Sequence, residues 1–232
     1  MTAHSRDLLE LGPRASATSI PDSAQAAPRA RLYRDGVKRM LDVALVLATA
    51  PVWMTITLVT ALLILAGDGR NPFYRQARLG LGGRVFHMWK LRSMVHDADA
   101  LLEAHLAADP AARAEWDSTQ KLKHDPRITR VGRIIRKTSI DELPQLWNVL
   151  IGEMSLVGPR PMMVGQRALY HGSSYFALRP GLTGFWQISD RNECRFRDRV
   201  RFDDAYESSV SLRTDVTVIF RTVAVVVRGT GY

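Results

Sequence analysis

The segment VALVLATAPVWMTITLVTALLILA, residues Val43–Ala66, decides the fold, because it contains no charged side chain. A helix rises about 1.5 Å per residue, so this run covers roughly 36 Å and exceeds the ~30 Å hydrocarbon core of a bilayer. A buried core helix is the alternative, but so long an uncharged run favours membrane insertion. Pro51 interrupts the run, where it removes a backbone hydrogen bond and predicts a break in the helix.

Basic residues flank this segment on both sides and bear on its topology. They are Arg34, Lys38 and Arg39 before it and Arg70, Arg75 and Arg78 after it. A simple span would leave one basic cluster outside, against the positive-inside tendency. A helix that breaks at Pro51 and returns to the same leaflet satisfies both clusters, and Trp53 suits the interfacial region. The sequence therefore predicts a re-entrant membrane helix over residues 35–70.

The rest of the chain divides around this helix. Residues 1–34 are rich in Ala, Ser, Pro and Arg and are expected to form a flexible tail. Residues 71–232 are expected to form one compact domain. Its first part, Asn71–Met94, predicts a small β-hairpin that turns at the glycines after Leu79. The predicted fold class is α+β, mainly helical, with interfacial amphipathic helices that include Val216–Val227.

Charge and metal-ligand composition limit the classes of function. The formal net charge of +9 favours an anionic partner, namely nucleic acid, phospholipid or a phosphorylated substrate. The single cysteine, Cys194, excludes an internal disulfide, and the six histidines show no zinc-ligand spacing. The composition does not exclude a Mg²⁺ site built from oxygen ligands.

The stretch SIDELPQLWNVL, Ser139–Leu150, places two adjacent carboxylates in an otherwise uncharged segment. One interpretation is a capping box, with Ser139 as N-cap and Glu142 reaching back to it. The other is a phosphoryl-transfer centre, in which Asp141 attacks phosphorus and Glu142 holds Mg²⁺. Both can hold together, because a helix N-terminus keeps a carboxylate ionised and attracts phosphate.

Two arginines are suited to a phosphate near these carboxylates. Arg136 lies five residues before Asp141, and a guanidinium matches phosphate oxygens in a forked geometry. Arg160 stands between Pro159 and Pro161. The two prolines predict a stiff loop that holds the guanidinium of Arg160 in one position, as the binding of an anion requires.

A series of ordered motifs carries a resemblance to a known family. The motifs are KRMLD (38–42), FYRQARLG (73–80), KLRSM (90–94), DPRITRVGRIIRKTSIDELPQLWNVL (125–150), GEMSLVGPRP (152–161) and RPGLTGFWQ (179–187). From Lys38 to its C-terminus the chain resembles the bacterial sugar transferases, the small monotopic polyprenyl-phosphate phosphoglycosyl transferases. It looks most similar to the galactose phosphotransferases that initiate exopolysaccharide.

This resemblance implies an enzyme on the cytoplasmic face of the bacterial inner membrane, with residues 71–232 as its catalytic domain. Asp141 would attack a UDP-sugar and release UMP, and undecaprenyl phosphate would then accept galactose or glucose 1-phosphate. Glu142 would bind Mg²⁺. The positions expected to bind substrate phosphates are Lys90, Arg92, Arg136, Pro159, Arg160 and Arg179. The oligomeric state is left open, with a homodimer included.

The chain departs from the family pattern at two places. The helix break, commonly Ser-Pro, is Ala50-Pro51 here, so we expect that no side-chain hydroxyl supports the kink. The run S-G-R after RPGLTGFWQ reads Ser189-Asp190-Arg191, which bears on sugar or nucleotide contacts. A membrane-anchored basic scaffold or nucleic-acid-binding protein is the alternative class, but the basic residues are not interleaved with aromatic ones as nucleic-acid stacking platforms require.

Overall fold

The computed structural model describes residues 32–119, 122–189 and 196–227. Its helices are α1 (Lys38–Ala48), α2 (Ala50–Asp68), α3 (Ala98–Ala108), α4 (Pro110–Thr119), α5 (Arg130–Lys137), α6 (Gln145–Ile151), α7 (Ser174–Ala177), α8 (Phe185–Ile188), α9 (Arg199–Ser209) and α10 (Leu212–Val227). Its strands are β1 (Phe73–Leu79), β2 (Val85–Leu91), β3 (Ser155–Val157), β4 (Met162–Met163) and β5 (Gly181–Thr183). The mainly helical α+β class is confirmed. The expectations for residues 1–31, Asp190, Arg191 and Cys194 lie outside the described residues.

The apolar segment breaks at Thr49, which separates α1 from α2. Pro51 occupies the first turn of α2, where a helix does not need the missing N–H. The hydroxyl of Thr49 donates to the carbonyl of Leu45 at 2.8 Å, so the expectation of a break without a supporting hydroxyl is wrong. The indole of Trp53 donates to the carbonyl of Val46 at 3.1 Å and is buried, and its expected position in the interfacial region stays a prediction.

Helix α2 has the length and composition needed to cross a membrane. One of its faces packs on the domain through Ala61 and Ile64, which contact Leu91 and Ile135. Much of the remaining surface consists of apolar side chains that are more than half exposed, namely Val52, Met54, Val59, Leu58, Leu62 and Leu63. An exposed apolar surface of this kind is what a helix in lipid presents. Its path through the bilayer stays a prediction.

The predicted β-hairpin is confirmed. Strands β1 and β2 pair antiparallel with Leu79 opposite Val85 and Tyr74 opposite Lys90. Strand β4 pairs with the other edge of β1, which gives the strand order β2-β1-β4. The turn requires positive φ at Gly82 and Gly83, a conformation that costs glycine little. This sheet carries Lys90 at one edge and supports the loop that follows β3.

The start of the membrane segment is fixed to the domain by buried polar contacts. Lys38 on α1 contacts the carboxylate of Asp215 on α10 at 2.6 Å. One turn further along α1, Asp42 accepts a hydrogen bond of 2.7 Å from the hydroxyl of Ser155 on β3. These contacts fix where the apolar helices leave the domain.

Candidate active site

Asp141 and Glu142 lie in a 3₁₀ turn between α5 and α6. Ser139, just before this turn, has a left-handed backbone with φ of 57°, and its side chain makes no capping hydrogen bond. An N-cap residue typically has an extended backbone, which Ser139 lacks, and α6 begins only at Gln145, several residues after Ser139. The predicted capping box is therefore wrong, and the two carboxylates are available for other contacts.

Lys90 on β2 bridges the two carboxylates. Its Nζ donates to Oε1 of Glu142 at 2.7 Å and lies 3.8 Å from Oδ2 of Asp141. The three side chains are 20% (Lys90), 13% (Asp141) and 25% (Glu142) exposed, so water screens the arrangement only in part. A shared cation offsets the repulsion between two adjacent carboxylates.

Asn148 on α6 fixes the position of Lys90 relative to the carboxylates. Its Oδ1 accepts a hydrogen bond of 3.0 Å from the backbone N–H of Trp89. Its Nδ2 donates to the carbonyl of His87 at 2.9 Å and to Oε2 of Glu153 at 2.6 Å. Because Asn148 is fully buried, these hydrogen bonds attach β2 firmly to the helix that follows the carboxylate turn.

The electrostatic setting of Asp141 combines burial with opposing charges. Burial is the largest influence and raises the pKa of its carboxyl above the ordinary value. The charges of Lys90 and Arg136 lower that pKa, and the charge of Glu142 raises it. A carboxylate with little water around it and two cations nearby is suited to attack an electrophile and to carry a transferred group.

Helix α5 brings Arg136 to the carboxylates because it packs unusually close to the chain after β2. A Cβ atom on Gly132 would lie 1.9 Å from the carbonyl oxygen of Ser93, so only glycine fits this approach. The hydroxyl of Thr129 caps the helix by accepting from the N–H of Gly132 at 2.8 Å. Arg136 is in the last turn, on the side of Asp141.

A pocket of about 160 Å³ opens beside Lys90 and Glu142. Arginines from three elements line it: Arg78 of β1, Arg160 of the loop after β3, and Arg199 of α9. The pocket therefore places a strongly cationic surface next to the carboxylate turn, a combination suited to phosphate.

The loop that carries Arg160 is held by tight backbone packing. The N–H of Gly158 donates to the carbonyl of Thr183 at 2.8 Å, and the N–H of Gly181 donates to the carbonyl of Pro159 at 2.8 Å. A Cβ atom on Gly158 would lie 2.3 Å from the carbonyl oxygen of Arg179. This close packing, together with the two prolines, leaves the backbone around Arg160 little room to move, and the stiffness of the loop stays a prediction.

The sequence model of the family described as bacterial sugar transferase matches residues 33–229, which include every element of this site. This protein is a member of the bacterial sugar transferase family. The match covers both apolar helices, the carboxylate turn and the arginine-lined pocket.

Curated relatives support the same assignment. The chain is 49% identical to the UDP-galactose-lipid carrier transferase of Erwinia amylovora, over 75% of this chain and 37% of that protein. It is 41% identical to the exopolysaccharide production protein ExoY of Sinorhizobium fredii, over 82% and 84% of the two chains. It is 35% identical to the UDP-glucose:undecaprenyl-phosphate glucose-1-phosphate transferase of Caulobacter vibrioides, over 93% and 78%. The chain thus spans little more than a third of the Erwinia protein.

Two of the arginines expected to bind phosphate have other partners in this sugar transferase. The guanidinium of Arg92 forms a two-pronged contact with the carboxylate of Asp68 at the end of α2. Arg179 donates through Nε to the carbonyl of Gly152 at 3.0 Å, at the end of α6. The structure does not bring either side chain into the pocket beside the carboxylates, because each one stabilises the end of a helix.

Four residues of the site were missed by sequence reasoning. Arg78 lies inside the motif FYRQARLG, but the sequence alone indicates for it only a basic residue that flanks the membrane segment. Asn148 lies in SIDELPQLWNVL as a polar residue among apolar ones, a signal that could have marked it as a buried clamp. Gln187 ends the motif RPGLTGFWQ, which could have marked it, whereas Arg199 lies outside the quoted motifs and reaches the pocket only in the folded chain.

Asp141 and Glu142 are the side chains that would hold a divalent cation. Within the described ranges there is no cluster of three or more His, Cys, Asp or Glu side chains placed to bind a metal. Mg²⁺ commonly takes one or two protein carboxylates and completes its shell with water and substrate phosphate oxygens. The pair fits an ion of that kind, with Glu142 shared between the ion and Lys90.

Proposed function

We propose that this sugar transferase moves a hexose 1-phosphate, of galactose or glucose, from a UDP-sugar to undecaprenyl phosphate and releases UMP. The observation that carries the proposal is a buried Asp141 beside Lys90, next to an arginine-lined pocket. The names of the Erwinia and Caulobacter relatives, which refer to galactose and to glucose, support both hexoses as candidates.

The first step is a displacement at phosphorus. A carboxylate oxygen of Asp141 forms a bond to the sugar-bearing phosphorus of the UDP-sugar, and the bond from that phosphorus to the bridging oxygen breaks. UMP leaves with the electron pair. Lys90 and Arg136 lower the pKa of Asp141 against the effect of burial, and their positive charges stabilise the phosphoryl group during the attack.

The second step returns the enzyme to its starting state. A phosphate oxygen of undecaprenyl phosphate attacks the same phosphorus, and the bond to Asp141 breaks. The carboxylate is regenerated, and the lipid carries the hexose on a diphosphate. Because the transfer occurs in two steps, the reaction follows a ping-pong mechanism, in which the carboxylate and then the lipid phosphate attack the same phosphorus.

Mg²⁺ is the proposed cofactor, with Glu142 as its protein ligand and Asp141 kept for the attack on phosphorus. When bound, it would neutralise phosphate charge on the diphosphate donor. Lys90 already offsets the Glu142 carboxylate by contact at 2.7 Å, so this lysine has to share that side chain with the metal.

We place the reaction at the cytoplasmic face of the inner membrane, as the first step of exopolysaccharide assembly. The exposed apolar side chains of α2 and the basic residues on both sides of the apolar segment support a re-entrant helix with both ends on that face. The name of ExoY supports the link to exopolysaccharide. A membrane-embedded site suits an acceptor whose reactive phosphate stays at the lipid surface.

A UMP-release assay tests the proposal. The purified full-length protein is incubated with undecaprenyl phosphate, Mg²⁺ and UDP-galactose, UDP-glucose or their N-acetyl forms. We expect release with a UDP-hexose and its loss in Asp141→Asn. Asp117→Asn, a change of an exposed carboxylate on α4, is the matched control and should keep full turnover.

The opposite result would favour the non-catalytic scaffold. That class predicts no UMP release from any of the four donors, together with salt-sensitive binding to bulk DNA. A release that Asp141→Asn leaves intact would instead keep the enzyme class and reject the covalent mechanism.

A further inference from the structure

The three arginines of the pocket lie close enough to repel one another. Burial and the positive charges of Arg160 and Arg199 lower the pKa of Arg78 to about 10. Asp203 on α9 attracts Arg199 from behind, but burial raises the pKa of Asp203 to about 7. Near neutral pH this carboxyl is therefore only partly ionised, and the cluster keeps an excess of positive charge that an anion would stabilise.

Several buried polar atoms of the pocket have no hydrogen-bond partner among the residues that the structure describes. They are Nε of Arg78, Nε of Arg199 and both amide atoms of Gln187. Gln187 is 8% exposed and Arg199 is 5% exposed. A buried donor or acceptor without a partner costs about 1–3 kcal/mol, so native proteins seldom keep a complete amide in this state without a ligand, an ion or ordered water as its partner.

The side chain of Arg199 is held in place independently of any ligand. It donates to the carbonyl of Arg160, and its guanidinium lies 5.0 Å from the ring of Phe196 and 5.9 Å from the ring of Trp186. Behind it, the hydroxyl of Tyr170 donates to Asp203 at 2.8 Å. The guanidinium is therefore preorganised, which lowers the entropy cost of binding an anion.

We propose that Arg78, Arg160, Arg199 and Gln187 form a second phosphate site, which holds the phosphate of the departing nucleoside monophosphate. This inference rests on the proposed function, because the reaction gives the pocket two phosphates to accommodate. One phosphorus is attacked by Asp141. The other stays on the leaving group, whose new negative charge the guanidiniums stabilise.

Each residue has a distinct part in this site. Arg78 and Arg199 supply the Nε donors that lack protein partners, and Arg160 adds a third guanidinium. The amide of Gln187 donates its N–H groups to phosphate oxygen and offers its carbonyl oxygen to a hydroxyl of the adjoining sugar. Asp203 is a positioning residue, since it acts through Arg199.

Binding of UMP, inorganic phosphate and uridine to the full-length protein in detergent tests the site without turnover. We expect Arg78→Gln and Arg199→Gln each to weaken UMP binding at least tenfold, as loss of a charge-assisted contact implies. Arg201→Gln, an exposed arginine on the same helix, is the matched control and should change the affinity less than twofold. Inorganic phosphate should compete with UMP in the wild type, and uridine affinity should not respond to the arginine variants.

Gln187→Leu separates a ligand-binding role from a structural one. Replacing a buried amide that lacks partners by an apolar side chain of similar size should leave the melting temperature unchanged or higher. The same variant should still bind UMP more weakly than the wild type. A Gln187 that merely supported the fold would give the reverse, with a lower melting temperature and unchanged UMP affinity.

The results that overturn the second phosphate site differ from those that overturn the proposed function. Unchanged UMP affinity in both folded arginine variants, or an equal loss of uridine affinity, rejects the site even if UMP is released from a UDP-hexose. Absence of UMP release, combined with the expected pattern of UMP affinities, rejects the proposed function and leaves an anion site for nucleoside monophosphates.

Discussion

Lys90→Gln should move the pH dependence of turnover, because Lys90 helps to keep Asp141 ionised. The Nζ–Oδ2 distance is 3.8 Å, at which the Coulomb attraction is about 4 kcal/mol for an effective dielectric constant of about 20. Burial already raises the pKa of Asp141, and Lys90 opposes that rise. Without the lysine, the carboxyl takes up its proton at a higher pH and fewer molecules carry the attacking carboxylate.

The assay is the initial rate of UMP release as a function of pH. We expect the acidic limb of the kcat profile to move upward by about one to three pH units in Lys90→Gln, the usual effect of an opposite charge within about 4–6 Å. Lys90→Arg keeps the charge and should restore the limb, and Lys123→Gln, an exposed lysine, is the control. A lower plateau with the limb unmoved would refute the electrostatic role of Lys90.

Three further predictions concern the framework of the site. Asn148→Ala removes the buried hydrogen bonds between α6 and β2 and should lower the free energy of unfolding by about 2–4 kcal/mol in a denaturant titration. Gly158→Ala should reduce turnover by displacing the loop of Arg160, whereas Gly165→Ala, in open space, should not. Burial raises the pKa of Asp203 from 3.8 to about 7, so between these values the folded state binds more protons than the unfolded one. The free energy of unfolding should therefore fall as the pH rises from 3.8 towards 7. Asp203→Asn removes the titrating group and should make that fall smaller.

The elements predicted well were those that depend on local pattern. An uncharged run long enough for a membrane helix and a glycine-rich turn between two strands each determine structure within a few residues. The break in the apolar segment was also predicted, but its supporting hydroxyl was not. Thr49 lies one residue before the position at which the family pattern places a serine, and its hydroxyl donates to the carbonyl of Leu45.

The predictions that failed depend on conformation or on distant contacts. Residues 139–142 match the S-x-x-E pattern of a capping box, but that pattern does not reveal the left-handed backbone of Ser139. The contact that replaces the cap joins Glu142 to Lys90, 52 residues earlier in the chain. The pocket likewise combines side chains from β1, a loop and α9, so its arginines become recognisable only when those elements pack together.

The most direct test of the central claim is mass spectrometry of the protein after brief incubation with UDP-hexose and Mg²⁺, without undecaprenyl phosphate. We expect one hexose phosphate per chain, located on Asp141 by peptide mapping and formed together with one equivalent of UMP. The adduct should disappear when undecaprenyl phosphate is added. Asp141→Asn should show no adduct. An adduct on another residue, or UMP release that requires the lipid and leaves the protein unmodified, would contradict the proposed attack by Asp141.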